Sequence, residues 1–237
     1  MDLPALSCGG IWGAAAIAVE ESESAAGQVL LLGGRAQAGS VSTVHLVDLA
    51  TGVCTPGRPD LLGSRYSSAV SALPGGRIVC AGGYSGDSQS SAEMWGPPVQ
   101  GALDAAWTWR HLPAMGVARR GCSGCVMSDG RFAVLGGWST GVATSLCEAL
   151  SIGADGEHWE PLLPMHDTRA YLSCAAVAGC VIVTGGPGRA SAEVYDEVLG
   201  RWLRLPSDSS RLGVHGQRAY VDLFRETRSH TPIRACG

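Results

Sequence analysis

The chain has 237 residues, of which 46% are hydrophobic and 16% are charged, and its formal net charge is −4. This composition predicts a globular chain with enough apolar material for a core, and no apolar run approaches the ~18 residues of a membrane span. The negative charge argues against nucleic acid as a partner, and no membrane partner is expected.

The cysteine content indicates free thiols rather than a disulfide framework. The chain has nine cysteines, an odd number, and its N-terminal residues lack the basic region of a secretion signal. We therefore expect a reducing compartment, the cytoplasm, with the nucleus as an alternative. Cys122 and Cys125 would point to opposite faces of a strand, and we interpret both as small core residues. Cys174 precedes a glycine pair by the same distance as Cys125, which indicates an equivalent core position.

Four segments of the chain share one ending, a short apolar run that closes in two glycines. They are VLLLGG at 29–34, RIVCAGG at 77–83, RFAVLGG at 131–137 and CVIVTGG at 180–186. The first glycines of the pairs are separated by 49, 54 and 49 residues, a period typical of repeat architectures. Since glycine packs poorly in strands, the repetition indicates that the structure requires glycine at this point.

Other sequence features recur in the same order relative to the glycine pairs. After a polar loop, a new strand is predicted at SAEMW (91–95), SLCEAL (145–150), SAEVYD (191–196) and, in degenerate form, STVHLVD (42–48). Tryptophans follow at Trp109, Trp159 and Trp202, and arginines stand in one phase between units at Arg65, Arg119, Arg169 and Arg211. Each unit offers four short apolar runs separated by Gly, Pro, Ser and Asp, which predicts a four-stranded sheet.

This set of marks resembles the kelch family of β-propellers, over about residues 3–210. The resemblance implies an all-β fold, a kelch-type β-propeller with about four four-stranded blades plus a partial fifth unit. We place a propeller domain at 1–210, with units at about 13–62, 65–115, 119–165 and 169–206. Residues 211–237 form a divergent basic tail or partial blade with five arginines.

Three arrangements remain open for these units: a closed small propeller, an open arc that another chain completes, or part of a larger protein. The first unit lacks a tryptophan at the expected place, in GVCTPGRPDLL at 52–62, and the tail never reaches a glycine pair. In each arrangement, a side chain at the glycine pair would collide with the neighbouring blade, and the tryptophans would act as wedges between sheets.

The resemblance places function in the loops at the mouth of the propeller. In kelch substrate adaptors, arginines of the linking loops, together with polar and aromatic residues that follow the glycine pairs, bind acidic peptide motifs. By resemblance, the partner-binding residues are Arg65, Arg120, Arg169 and Arg211, with Tyr84, Ser85, Trp138 and Ser139 as secondary contacts. Forked guanidinium groups suit carboxylates, so the expected partner is a protein or an acidic peptide. The alternative is that each arginine caps its own blade-to-blade turn.

We therefore predict a non-catalytic protein-interaction module, for which the family suggests the role of a substrate adaptor of a ubiquitin ligase. The alternative class is a kelch-fold enzyme, because galactose oxidase shares the fold and holds copper with Tyr and His side chains. The six histidines here are scattered, and the iron motif Glu-x-x-x-Asp-x-x-x-His of nitrile-specifier proteins does not occur. We assign no catalytic residue, metal or cofactor. A third alternative is that the basic tail contacts RNA or an acidic membrane.

Overall fold

The computed structural model describes residues 9–19, 27–98, 106–153, 155–188 and 191–205. The chain divides into two compact units, Met1–Leu205 and Pro206–Gly237, and every described residue belongs to the first. The described residues form four antiparallel four-stranded sheets, which are the blades of a β-propeller. The prediction of an all-β propeller with four four-stranded blades is confirmed, whereas the predicted tail at 211–237 lies outside the described residues.

The strands of each blade follow one another in chain order. Blade 1 contains β1 (Ala15–Val19), β2 (Gln28–Leu32), the short hairpin strands β3 (Arg35–Ala36) and β4 (Gly39–Ser40), β5 (Val44–Asp48) and β6 (Cys54–Pro56). Blade 2 contains β7 (Ala69–Ala72), the 3₁₀ turn Pro74–Gly76, β8 (Ile78–Ala81), the hairpin strands β9 (Tyr84–Ser85) and β10 (Asp87–Ser88), β11 (Ala92–Gly96) and β12 (Thr108–Leu112). Blade 3 contains β13 (Ser123–Val126), β14 (Phe132–Leu135), the hairpin strands β15 (Trp138–Ser139) and β16 (Val142–Ala143), β17 (Cys147–Gly153) and β18 (Gly156–Leu162). Blade 4 contains β19 (Leu172–Val177), β20 (Cys180–Gly185), β21 (Ala192–Asp196) and β22 (Arg201–Arg204). The last strand of blade 1, where the tryptophan is missing, is the shortest of the sixteen blade strands.

The second strand of a blade with a neighbour on each side, blade 2 or blade 3, is apolar on both faces because the two neighbouring blades cover it. In blade 3, Phe132 and Val134 face blade 2, while Ala133 and Leu135 face blade 4. The four side chains are at most 1% exposed. Alternation of side chains along a strand thus divides one apolar run between two cores, which explains the continuous apolar segments that precede the glycine pairs.

Three apolar cores lie between consecutive blades, between 1 and 2, 2 and 3, and 3 and 4. Trp109, Trp159 and Trp202 each pack into the core between their own blade and the preceding one. Their indole Nε1 atoms donate to carbonyl oxygens of the preceding linker, those of Pro59, Pro113 and Leu163, each over 2.8 Å. The predicted role of the tryptophans as wedges between sheets is confirmed. Their hydrogen bonds also attach each tryptophan to the linker that precedes its blade.

The glycine pairs stand where the following blade crosses the end of the second strand. A Cβ on the first glycine would lie 2.3 Å from Arg65 O at Gly33, 2.8 Å from Arg119 O at Gly82 and 2.5 Å from Arg169 O at Gly136. At Gly185, which has no described blade after it, no described atom lies within 4 Å. The predicted collision is confirmed at the three pairs that have such a neighbour, since real Cβ atoms do not approach a carbonyl oxygen so closely.

The second glycine of each pair makes a hydrogen bond between blades. The N–H groups of Gly34, Gly83 and Gly137 donate to the same arginine carbonyls, Arg65, Arg119 and Arg169, over 2.8, 2.8 and 2.7 Å. Their φ angles are +115°, +98° and +111°, a region that L side chains rarely adopt. One glycine therefore makes room for the carbonyl and the other binds it.

The cysteines of blade 3 occupy cores on both of its faces. Cys122 lies in the core shared with blade 2 and Cys125 in the core shared with blade 4, as predicted for positions three apart. The predicted equivalence of Cys125 and Cys174 is wrong. Cys125 pairs with Ala133 but Cys174 pairs with Val183, so the two strands differ in register and Cys174 faces back into the core that contains Cys125.

Candidate functional site

The three described arginines that share one phase between units, Arg65, Arg119 and Arg169, are at most 4% exposed. The guanidinium of Arg169 donates to Gly185 O over 2.9 Å and to Ser191 O over 2.8 Å, both within its own blade. The others repeat this pattern, Arg65 with the carbonyls of Gly82 and Ser91, and Arg119 with those of Gly136 and Leu146. These arginines hold the glycine pair of their own blade to the start of its third strand.

A glutamate on the third strand completes each arrangement. Arg65 pairs with Glu93 over 2.7 Å and Arg169 with Glu193 over 3.2 Å, and Arg119 pairs with Glu148. The same carboxylates accept backbone N–H groups of the preceding linker, those of Leu62, Gly116 and His166, over 2.6 to 2.7 Å. Each buried arginine thus fixes its own blade-to-blade linker, the arrangement that the alternative interpretation of these arginines describes.

A row of aromatic and arginine side chains crosses blades 1 to 3 at the end of the sheets where the glycine pairs lie. We call it the mouth ladder, and it consists of Trp12, Arg35, Tyr66, Tyr84, Arg120 and Trp138. The rings of Trp12 and Tyr66 are 5.1 Å apart and those of Tyr66 and Tyr84 5.4 Å apart. The Arg35 guanidinium lies over Trp12 at 5.3 Å and over Tyr66 at 5.8 Å, and that of Arg120 over Tyr84 at 4.7 Å.

Backbone pairing places the ladder side chains in register from blade to blade. In each of blades 1 to 3, the residue that follows the glycine pair forms an antiparallel bridge with a residue just before the first strand. In blades 2 and 3 this second residue follows the linker arginine, and in blade 1 it follows Ile11. The bridges are Trp12–Arg35, Tyr66–Tyr84 and Arg120–Trp138. Because the repeat fixes these positions in blades 1 to 3, the side chains at them form one continuous row.

The charges of the ladder are available for a ligand. Arg35 is exposed and Arg120 half-buried, and neither pairs with a carboxylate among the described residues. Arg35 donates only a long hydrogen bond of 3.5 Å to the Tyr66 hydroxyl. Asp87, at the hairpin of blade 2, is the one acidic residue in the three hairpins that follow the glycine pairs of blades 1 to 3. The ladder is therefore an aromatic surface with two cations for which the described ranges of the chain provide no counter-ion.

The structure distributes the eight predicted residues over different environments. Tyr84, Arg120 and Trp138 lie in the ladder, and half-buried Ser85 lies beside it, with its Oγ 2.9 Å from Ser64 Oγ. Ser139 is buried, and the guanidinium groups of Arg65 and Arg169 are occupied within the fold. Arg211 lies outside the described residues. A partner-binding role stays a prediction for all eight.

Three ladder residues were missed by the sequence analysis: Trp12, Arg35 and Tyr66. The signal that could have found them is their phase in the repeat. Trp12 and Tyr66 hold the same position as Arg120, and Arg35 holds the same position as Tyr84 and Trp138. Trp12 is 56% exposed, which is unusual for a tryptophan and typical of residues that bind a partner.

In the part of the chain that the structure describes, no group of three or more His, Cys, Asp or Glu side chains is placed to hold a metal ion. The same residues include no helix that is long and apolar enough to cross a membrane.

Comparisons with known proteins add no family assignment. No model of a known protein family matches the chain, and no curated protein sequence matches it either.

Proposed function

We propose that this protein is a kelch-type propeller that binds an acidic segment of a partner protein at the mouth ladder and that it does so without catalysis. The observation that carries the proposal is the pair of guanidinium groups, Arg35 and Arg120, which stack on aromatic rings and have no carboxylate partner in the part of the chain that the structure describes. A stacked guanidinium keeps its N–H edge free, so it can bind a carboxylate while the ring holds it in place.

The composition of the ladder supports binding rather than a purely structural role. Trp, Tyr and Arg are the residues most enriched at interface hot spots, and Trp and Tyr supply a large contact area at a low cost in side-chain entropy. The adjacent tryptophans and tyrosines would contact the partner's apolar atoms while the two arginines select its charge. A rigid propeller supports these contacts at little cost in conformational entropy.

The proposal divides the predicted arginines into two groups. Arg120 joins Arg35 as a ligand for the partner, whereas Arg65 and Arg169 hold the blades in position from within. A substrate-adaptor role in a ubiquitin ligase is the finer form of the proposal. It requires the captured partner to be ubiquitinated in a manner that depends on this chain.

The experiment that tests the proposal is a selection of short random peptides, displayed on phage, against the immobilised protein. The double variant Arg35→Ala/Arg120→Ala removes both ladder cations. The matched control Arg77→Ala/Arg131→Ala removes the same charge from residues that precede β8 and β14, at the ends of these strands opposite the glycine pairs.

We expect the wild-type pool to be enriched in Asp and Glu. A selected peptide should bind the ladder variant about tenfold or more weakly, as is typical for the loss of interface arginines. The control variant should bind it as the wild type does. A pool without acidic enrichment, or equal weakening by both double variants, would contradict the proposal.

A further inference from the structure

The mouth of blade 4 differs from the other three blades in its backbone pairing. In blades 1 to 3, the two residues of each bridge exchange two hydrogen bonds. The distances are 3.1 and 2.8 Å for Trp12–Arg35, 3.2 and 2.9 Å for Tyr66–Tyr84, and 3.1 and 2.6 Å for Arg120–Trp138. These bonds satisfy the backbone at every rung of the mouth ladder.

In blade 4 the same two positions are Ala170 and Pro187. Proline has no N–H group, so it cannot donate to the Ala170 carbonyl. Among the described residues, neither the N–H nor the C=O of Ala170 has a hydrogen-bond partner. Ala170 is only 1% exposed, and buried backbone groups are almost always paired. The Ala170 oxygen lies beside Gly186 as the Tyr66 oxygen lies beside Gly83, so both groups face Pro187, and among the described residues the backbone rung that would continue the ladder is missing.

A pocket of about 120 Å³ lies beside these groups. Its lining residues are Trp138, Ala143, Thr168, Arg169, Ala170, Gly186 and Pro187. The pocket exists because Ala170 stands where the other blades carry Trp12, Tyr66 and Arg120, so the side chain that would continue the ladder is missing. The ladder therefore ends at Trp138, at the edge of this small and mainly apolar pocket.

We propose that the acidic segment that binds the ladder also inserts one apolar side chain into this pocket. This inference rests on the function proposed above and names a second determinant of the partner. The segment lies extended, with its carboxylates at Arg35 and Arg120 and its apolar residue against the Trp138 indole.

The size of the pocket sets the class of the inserted residue. A cavity of roughly 150 Å³ holds a benzene molecule, so about 120 Å³ suits a Val, Leu, Ile or Pro side chain rather than an aromatic one. One extra or missing methylene group in such a pocket changes affinity by about 10- to 200-fold. The partner class is accordingly an acidic segment with one aliphatic residue at a fixed spacing from its carboxylates.

The first test measures the affinity of a selected acidic peptide for the wild-type protein before and after the peptide's aliphatic residue is replaced by Ala. The affinity should fall about tenfold or more, because several methylene groups leave the pocket. Replacement of a neutral residue outside the selected positions by Ala is the matched control and should change the affinity little. A peptide that binds through Arg35 and Arg120 but keeps its affinity without the aliphatic residue would overturn the inference.

The second test repeats the peptide selection on the variant Ala143→Leu, which fills the pocket from the hairpin of blade 3 and leaves the ladder residues in place. The wild-type pool should show both acidic enrichment and one aliphatic position, and the variant pool should keep the first and lose the second. Acidic enrichment without an aliphatic position, or an aliphatic position that Ala143→Leu does not affect, would overturn this inference while the proposed function stands. A pool without acidic enrichment would instead contradict the proposed function.

Discussion

The amide nitrogen of Gly137 lies 2.7 Å from the carbonyl oxygen of Arg169, and this hydrogen bond joins blade 3 to blade 4. The neighbouring Gly136 leaves the space that the carbonyl occupies. The same pair of roles recurs at each described junction between blades, so the repeat in the sequence is a repeat of inter-blade contacts.

Replacement of Gly136 by Ala should destabilise the fold more than the same change at Gly185. Both residues have positive φ, +57° and +80°, and share a backbone penalty of about 1–2 kcal/mol. Only at Gly136 would the new Cβ meet the Arg169 carbonyl, at 2.5 Å, and such overpacking costs roughly a further 1–3 kcal/mol. Urea unfolding of both variants measures the difference. Equal losses of unfolding free energy would contradict the crowding at the blade junction.

Arg169→Lys should destabilise the protein strongly although it keeps the charge. The single ammonium group of lysine cannot bind Gly185 O, Ser191 O and Glu193 together as the guanidinium group of Arg169 does. A broken buried ion pair costs about 3–5 kcal/mol of unfolding free energy. The matched control is Arg204→Lys, because Arg204 is 62% exposed and pairs with Asp167 at the surface. Exposed pairs contribute about 0–1 kcal/mol, so the control should unfold like the wild type. Thermal unfolding compares the two, and a smaller loss at Arg169 than at Arg204 would be inconsistent with its buried role.

Trp109→Phe should cost about 1 kcal/mol more than Trp95→Phe, the worth of one hydrogen bond. The two tryptophans face each other in register and are equally buried, with 6% of each exposed. Trp109 Nε1 donates to Pro59 O, whereas Trp95 Nε1 has no partner among the described residues. Chemical denaturation of the two variants gives the difference directly. A larger loss for Trp95→Phe would show that the linker bond contributes nothing.

The stability of the protein should fall as the pH rises from about 9 to about 11. Burial raises the pKa of Cys80, Cys122 and Cys147 to about 11, whereas an unfolded thiol titrates near 8.5. The folded state therefore holds these protons more tightly, so its advantage is complete below the unfolded pKa and is lost as the pH rises toward the folded one.

Variants identify the groups responsible for this pH dependence. Cys80→Ala should flatten the decline of the unfolding free energy, by at most about 1.4 kcal/mol per pH unit for one thiol. Val79→Ala is the control, because it removes a neighbouring buried side chain that does not titrate. Its unfolding free energy should be lower at every pH with an unchanged slope. An unchanged slope in Cys80→Ala would show that this thiol does not titrate differently in the two states.

Most of the fold could be predicted from the sequence because the features that build it repeat in phase. Gly136 and Trp159 each make a contact that recurs at every described junction between blades. The spacing of such glycines and tryptophans along the sequence therefore predicted the blades. The register of Cys174 could not be predicted in this way. It depends on the length of the turn between β19 and β20, which differs from the corresponding turn of blade 3.

The candidate site was predictable only in part. The position of Arg169 in the repeat showed that it lies in a linker. It did not show whether its guanidinium group points to solvent or into its own blade. The orientation of this group is fixed by Glu193, which lies 24 positions after Arg169 in the sequence and is hydrogen-bonded to it in the fold. Tyr66 and Trp12 share the phase of Arg120 in the repeat, but only the bridges between distant segments show that this phase is a ladder position.

The most direct measurement is the position of a bound acidic peptide on the protein. Peptides from the selection, with a benzophenone side chain placed at each position in turn, are photo-crosslinked to the wild-type protein and mapped by mass spectrometry. We predict crosslinks to Trp12 and to the hairpins Tyr84–Ser88 and Trp138–Ala143. Crosslinks concentrated at the opposite ends of the blades, such as the turn Pro74–Gly76, would contradict binding at the mouth ladder.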